Sequence, residues 1–173
     1  MPDPSRHSEN RNVVERILNY IPGFHGYLQK EYRRESDQLA RNWMADKLQQ
    51  SKRGLDDYMR ALVDKGQIDG LPLCDRLKSR LDTLRSRMKG DVQGYSGFFD
   101  FVRIGEQELD EVYNLDMSLM EEVESLAGDI KTVASSSDGP QSIIPKLQQQ
   151  LDDVEQKYNQ RGDLLKGLVP EGE

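Results

Sequence analysis

Residues 27–66 run without a proline, and apolar residues recur through them at steps of three, four and seven: Leu28, Tyr32, Leu39, Trp43, Met44, Leu48, Leu55, Met59 and Leu62. A half-buried strand alternates every two residues, so this spacing predicts a helix. A continuous helix over this span would be about 60 Å long. Gly54 is the expected bend or break, because glycine costs about 1 kcal/mol against alanine inside a helix. The segment GQIDGLP, residues 66–72, stops it. A chain carrying such a segment has to be built around helices.

The remaining segments have the same period. Residues 12–21 place Val14, Ile17, Leu18 and Ile21 on one face before Pro22-Gly23. Residues 73–89 carry Leu73, Leu77, Leu81, Leu84 and Met88 in a stripe about 80° wide at 100° per residue. Residues 106–134 spread Leu109, Val112, Tyr113, Leu119, Met120, Val123, Leu126, Ala127, Ile130 and Val133 over a broad sector. A stripe that wide suits a helix buried on several sides. SSSDGPQ, residues 135–141, reads as a linker, and 135–142 separates the bundle from the last helix. That helix, 143–168, is expected to take Ser142 as N-cap with Pro145 in its first turn. Its seam of Ile144, Leu147, Leu151, Val154, Tyr158 and Leu165 is narrow and coiled-coil-like, interrupted at Arg161. It fits a groove in its own chain or in a neighbouring one. Residues 1–11, polar and with two prolines, are expected to be disordered. The fold class is all-α: an elongated bundle of about four long helices plus a short N-terminal one, with the bundle proper at 12–134.

Charge divides the chain. Residues 27–90 hold 15 Lys and Arg against 10 Asp and Glu, and residues 91–173 hold 6 against 18, within a net charge of -7. Helix 73–89 flanks its leucine stripe with Arg76, Lys78, Arg80, Arg85, Arg87 and Lys89. The expected role is pairing with the acidic helices 106–134 and 143–168, as flanking charges do in helical bundles. The alternative is contact with an anionic membrane surface. The acidic total and the absence of aromatics among the cations argue against nucleic acid.

Chemistry-bearing sets are sparse. Cys74 is the one cysteine, so no internal disulfide can form, and it adjoins Asp75 at a helix start. His7 and His25 belong to no HExxH or ExxH pattern. No phosphate-binding loop, nucleophile elbow or EF-hand loop occurs, so no cofactor, metal or small-molecule substrate is expected. The opening MPDPSRHSEN lacks an apolar core of a signal peptide, and no apolar run reaches 18 residues. The expected location is the cytoplasm, with peripheral attachment at the inner membrane as the alternative. Asp116 stands near the centre of the apolar sector of helix 106–134. A buried lone carboxylate is costly, so it is either paired, as a register-setting device or an arginine's partner, or exposed at a gap in packing.

Two glycine–aromatic breaks echo each other, GFHGY at 23–27 and GYSGF at 94–98. Their glycines permit positive φ or close backbone approach. Antiparallel packing of helix 73–89 on 27–66 would set residue 90 opposite about residue 49 and let the chain run back to the first break. Phe24, Tyr27, Tyr95, Phe98, Phe99 and Phe101 are therefore expected to form one plug at a bundle end. An exposed cluster would instead be a docking site.

With IPGFHGYLQKEYRRESD (21–37), GYSGFFDF (94–101) and EQELDEVYNLD (106–116), the chain resembles an uncharacterised family of bacterial helical proteins. The resemblance covers most of residues 12–130 and excludes the last helix. It implies that the two breaks belong to the fold, and it carries no activity and no functional residue. The expected function is a non-enzymatic scaffold or adaptor binding a protein partner or a second copy, with a peripheral membrane-surface protein as the alternative.

Overall fold

The computed structural model describes residues 4–91, 96–101 and 103–168. The fold is all-α. Six α-helices are described: α1 (Pro4–Tyr20), α2 (Lys30–Asp64), α3 (Leu71–Gly90), α4 (Ser96–Asp100), α5 (Glu106–Lys131) and α6 (Pro140–Gly167). Two 3₁₀ turns, Ile68–Gly70 and Val133–Ser135, precede α3 and follow α5. The chain forms two compact units. The first takes Met1–Trp43, Asp91–Met120 and Lys157–Glu173; the second takes Met44–Gly90 and Glu121–Gln156.

In the second unit, α2 and α3 form an antiparallel hairpin. The register is written in ion pairs: Lys52 bonds Asp82, Lys78 bonds Asp56 at 2.6 Å and Lys89 bonds Asp46 at 2.9 Å. Each step forward on α2 is a step back on α3. Lys89 thus lies beside residue 46, a turn away from the expected position 49. The turn is tight because α2 ends in a Schellman motif. Gly66, at φ 71°, donates its N–H to the Val63 carbonyl, and Gln67 donates to the Leu62 carbonyl at 2.8 Å. The interior joins Leu48, Leu55 and Leu62 of α2, Leu77, Leu81 and Leu84 of α3, Val123, Leu126 and Ile130 of α5, and Ile144, Leu147 and Leu151 of α6. Its one buried polar side chain among the described residues is Ser51, which bonds its own helix at the Leu48 carbonyl.

Gly54 does not break α2. A Cβ there would stand 2.5 Å from the Ile130 carbonyl oxygen and 2.6 Å from the Lys131 Cα. The glycine lets the end of α5 lie directly on the α2 backbone. Two other expectations shift. Residues 4–11, expected to be disordered, belong to α1. The last helix starts at Pro140, not 143, because a proline whose fixed φ suits N1 opens it. Ser142 and Pro145 therefore lie inside α6, and the N-cap position falls to Gly139, whose carbonyl accepts the Ser142 and Ile143 N–H groups.

The first unit has a different interior. Ile17, Ile21, Phe24, Tyr27, Phe98, Leu109, Val112, Tyr113, Leu165 and Leu168 are buried, and so are Arg33, Ser36, Asp37, Arg41, Asp116 and Arg161. The periodicity of 28–43 picks the wrong face here. Leu28, just ahead of α2, is 70% exposed, and Tyr32, Leu39 and Trp43 are half-buried, while Arg33, Asp37 and Arg41 of α2 face inward.

Candidate functional site

The buried charges of the first unit form one connected group. Asp116 projects from α5 and is 1% exposed. One carboxylate oxygen accepts from Arg161 Nε at 2.6 Å, and the other accepts from the Tyr27 hydroxyl. Arg161 is the residue that interrupts the α6 seam. Its Nη2 donates to Asp37 of α2 at 2.7 Å and to the Tyr27 hydroxyl oxygen at 3.3 Å. The second Asp37 oxygen accepts from Arg41 Nε at 2.9 Å, one helical turn along. Two carboxylates and two guanidiniums thus cancel within the cluster. Burial works against the charge of Arg161, yet Asp116 and Asp37 outweigh it and hold the guanidinium well above its ordinary pKa. Burial, joined by the Asp116 charge, pushes the Tyr27 phenol well above its usual value.

Tyr27 is shared between this cluster and the aromatic breaks. Its N–H donates to the Tyr113 hydroxyl at 2.6 Å, and its ring stacks on Tyr113 at 5.3 Å. Gly26, at φ 82°, is required beside it: a Cβ would meet the Tyr113 hydroxyl at 2.6 Å. The Tyr27 ring also meets Phe24 at 5.6 Å and Phe98 at 5.4 Å, both edge-on, and Phe98 meets Phe99 at 5.2 Å. The two breaks therefore share one aromatic core. Phe101 is half-buried, and Tyr95 lies outside the described residues.

Arg33 ties the breaks together through backbone. Its Nε donates to the Tyr27 carbonyl at 2.7 Å, and its Nη1 donates to the carbonyls of Phe98, at 3.2 Å, and Phe101. Its guanidinium lies 5.5 Å from the Phe98 ring centroid. Burial lowers its pKa. Next to it, Arg34 covers the Phe99 ring at 4.8 Å and pairs with Asp100 at the surface. Nothing in the sequence marks Arg33, Asp37 or Arg41 as interior, since all three lie in the charged run KEYRRESDQLAR.

The basic residues of α3 have separate fates. Arg76 and Arg87 are exposed, and Arg85 is half-buried. Lys78 and Lys89 pair with Asp56 and Asp46 of α2, although α2 belongs to the basic part of the chain. Arg80 reaches the acidic α6, at Asp152 and, at 3.3 Å, Glu155. Burial and the neighbouring Asp75 push the Cys74 thiol up to about 11, so it stays protonated and inert at neutral pH. His25 is exposed and stacks on Tyr32 at 4.6 Å. Among the described residues no group of three His, Cys, Asp or Glu could hold a metal, and no helix is long and apolar enough to cross a membrane. Comparison with protein families, with characterised proteins and with solved structures finds no match to this chain.

Proposed function

We propose that this chain is a non-enzymatic helical scaffold or adaptor that works in the cytoplasm by presenting helix faces to a partner protein. The carrying observation is the buried charge cluster. Asp116, Arg161, Asp37 and Arg41 bond one another at 1–2% exposure, so these four charges are paired within the fold. An active site instead gathers polar groups around an open, concave pocket, whereas these four are closed off from solvent. The family resemblance fits this reading, in which the two glycine–aromatic breaks serve the fold. The partner is more favoured than a second copy joined through the last helix. Ile144, Leu147, Leu151, Val154, Tyr158 and Leu165 are each at most 3% exposed in the single chain, so the coiled-coil-like seam is already occupied.

The test is native affinity purification of the tagged full chain, followed by reconstitution of each co-purifying protein and sedimentation. A stoichiometric complex supports the reading; turnover of a substrate with no complex formed overturns it. Flotation with anionic liposomes at low salt separates the membrane-surface alternative, which would require Lys78, Arg80 and Lys89 to exchange their present carboxylates for lipid.

A further inference from the structure

The second unit carries a wide cleft of about 980 Å³ over the middle of α2, bordered by Lys78 of α3 and Lys131 at the end of α5. No apolar side chain lines it, and its five Lys and Arg outnumber its two Asp. Three of the cations are already engaged: Lys52 with Asp82, Lys78 with Asp56, and Arg60 with Asp57 at 3.7 Å. Arg53 and Lys131 are exposed and have no ion-pair partner among the described residues. Between them Gly54 contributes no side chain, so α5 and α2 meet backbone to backbone and the cleft floor stays low.

We propose that this cleft docks an extended acidic segment of a partner protein. The proposal rests on the adaptor reading and names the chemistry of the partner. From Gln49 to Arg60 the helix advances about 16 Å, the length of about five extended residues at 3.3 Å each. Arg53 and Lys131 would take carboxylates. Gln50, also exposed on the rim, has an amide that can donate to and accept from a peptide backbone. The two aspartates keep the centre from attracting a dense polyanion. A lipid surface is disfavoured because interfacial binding needs apolar side chains to insert, and this lining has none. Nucleic acid is disfavoured because no aromatic is present to stack a base. A drug-sized ligand is disfavoured because such pockets are mostly apolar.

The probe is a capped, fluorescein-labelled Glu-Gly-Glu-Gly-Glu peptide, titrated with the full chain and followed by fluorescence anisotropy. Saturable binding at low salt is expected, weakened as salt shortens the screening length, and absent for the Lys-Gly-Lys-Gly-Lys analogue. Arg53→Glu combined with Lys131→Glu should weaken it about tenfold, while Arg76→Glu, exposed on α3 and outside the cleft, should leave it unchanged. If circular dichroism shows that the double reversal unfolds, Arg53→Ala with Lys131→Ala serves, with a loss of about threefold. No binding at low salt would overturn the proposal, as would an equal loss in Arg76→Glu. Displacement of the probe by phosphatidylglycerol vesicles or a single-stranded RNA at lower charge concentration would do the same. A stoichiometric complex in the purification with no peptide binding removes the cleft alone; the absence of both removes the adaptor reading too.

Discussion

A carboxylate at 1% exposure on an apolar helix face is costly unless a cation is bonded to it, and Asp116 has Arg161 at 2.6 Å. Truncating either partner strands the other. Asp116→Ala is expected to cost about 3–5 kcal/mol by urea unfolding. Asp116→Ala with Arg161→Leu should recover part of that, with a coupling of about 1–3 kcal/mol. Simple additivity of the two changes would show that they do not act as a pair. Tyr27 adds a pH signature. Burial and Asp116 raise its pKa, so the folded chain holds the phenol proton more tightly than the unfolded chain does. For a raised group, stability is whole below the unfolded value, about 10 for tyrosine, and is lost as pH rises through the folded value. Cys74 has the same sign, from 9.0 up to about 11. Unfolding free energy should therefore fall on the alkaline side, and Tyr27→Phe should flatten that fall while costing about 1 kcal/mol at neutral pH. Half of this cluster is legible in the sequence. Asp116 breaks an apolar sector and Arg161 breaks an apolar seam, and each anomaly is the other's partner. Asp37 and Arg41 break nothing, because a charged residue among charges carries no periodic signal.

At the scale of elements, the hydrophobic face and the buried face coincide along 106–134 but not everywhere: Leu18, placed on the apolar face of 12–21, is 39% exposed. All ten apolar positions singled out on 106–134 are buried. Over 28–43 the hydrophobic face and the buried face differ. Arg33, Asp37 and Arg41 are satisfied by partners on the two breaks, on α6 and along α2 itself, and those contacts come from residues up to 124 positions away. A helical wheel contains no such information. Gly54 teaches the same lesson. Its propensity predicts a break, but the helix continues because the missing side chain is what α5 requires. Two substitutions separate propensity from packing. Gly54→Ala should destabilise by about 1–3 kcal/mol, since backbone of α5 occupies the Cβ position. Gly128→Ala, at an exposed position of α5 with nothing within 4 Å, should stabilise by about 0.5–1 kcal/mol. Thermal melts of both variants give the sign directly, and a gain in each would return Gly54 to an ordinary weak helix position.

For the molecule as a whole, α6 is the element on which both kinds of interior depend. Its Ile144, Leu147, Leu151 and Val154 belong to the apolar core of the second unit, and its Tyr158, Arg161 and Leu165 belong to the first. The sequence leaves two seats open for this helix, on its own chain or on a neighbour. The two are distinguishable, because a helix borrowed from outside can be removed without unfolding the rest. A chain ending at residue 138 loses the cation between Asp37 and Asp116, leaving Asp116 without its guanidinium and Asp37 with Arg41 alone. It also uncovers apolar surface along α3 and α5, where burial stabilises at about 25 cal/mol per Å². The expected outcome is loss of cooperative unfolding in the truncated chain, with aggregation in sedimentation, while the full chain melts cooperatively. A truncated chain that stays monomeric and melts as sharply as the full one would show that α6 is dispensable to this fold. The seam would then be free for a neighbour, and the case for an outside protein over self-assembly would lose its footing.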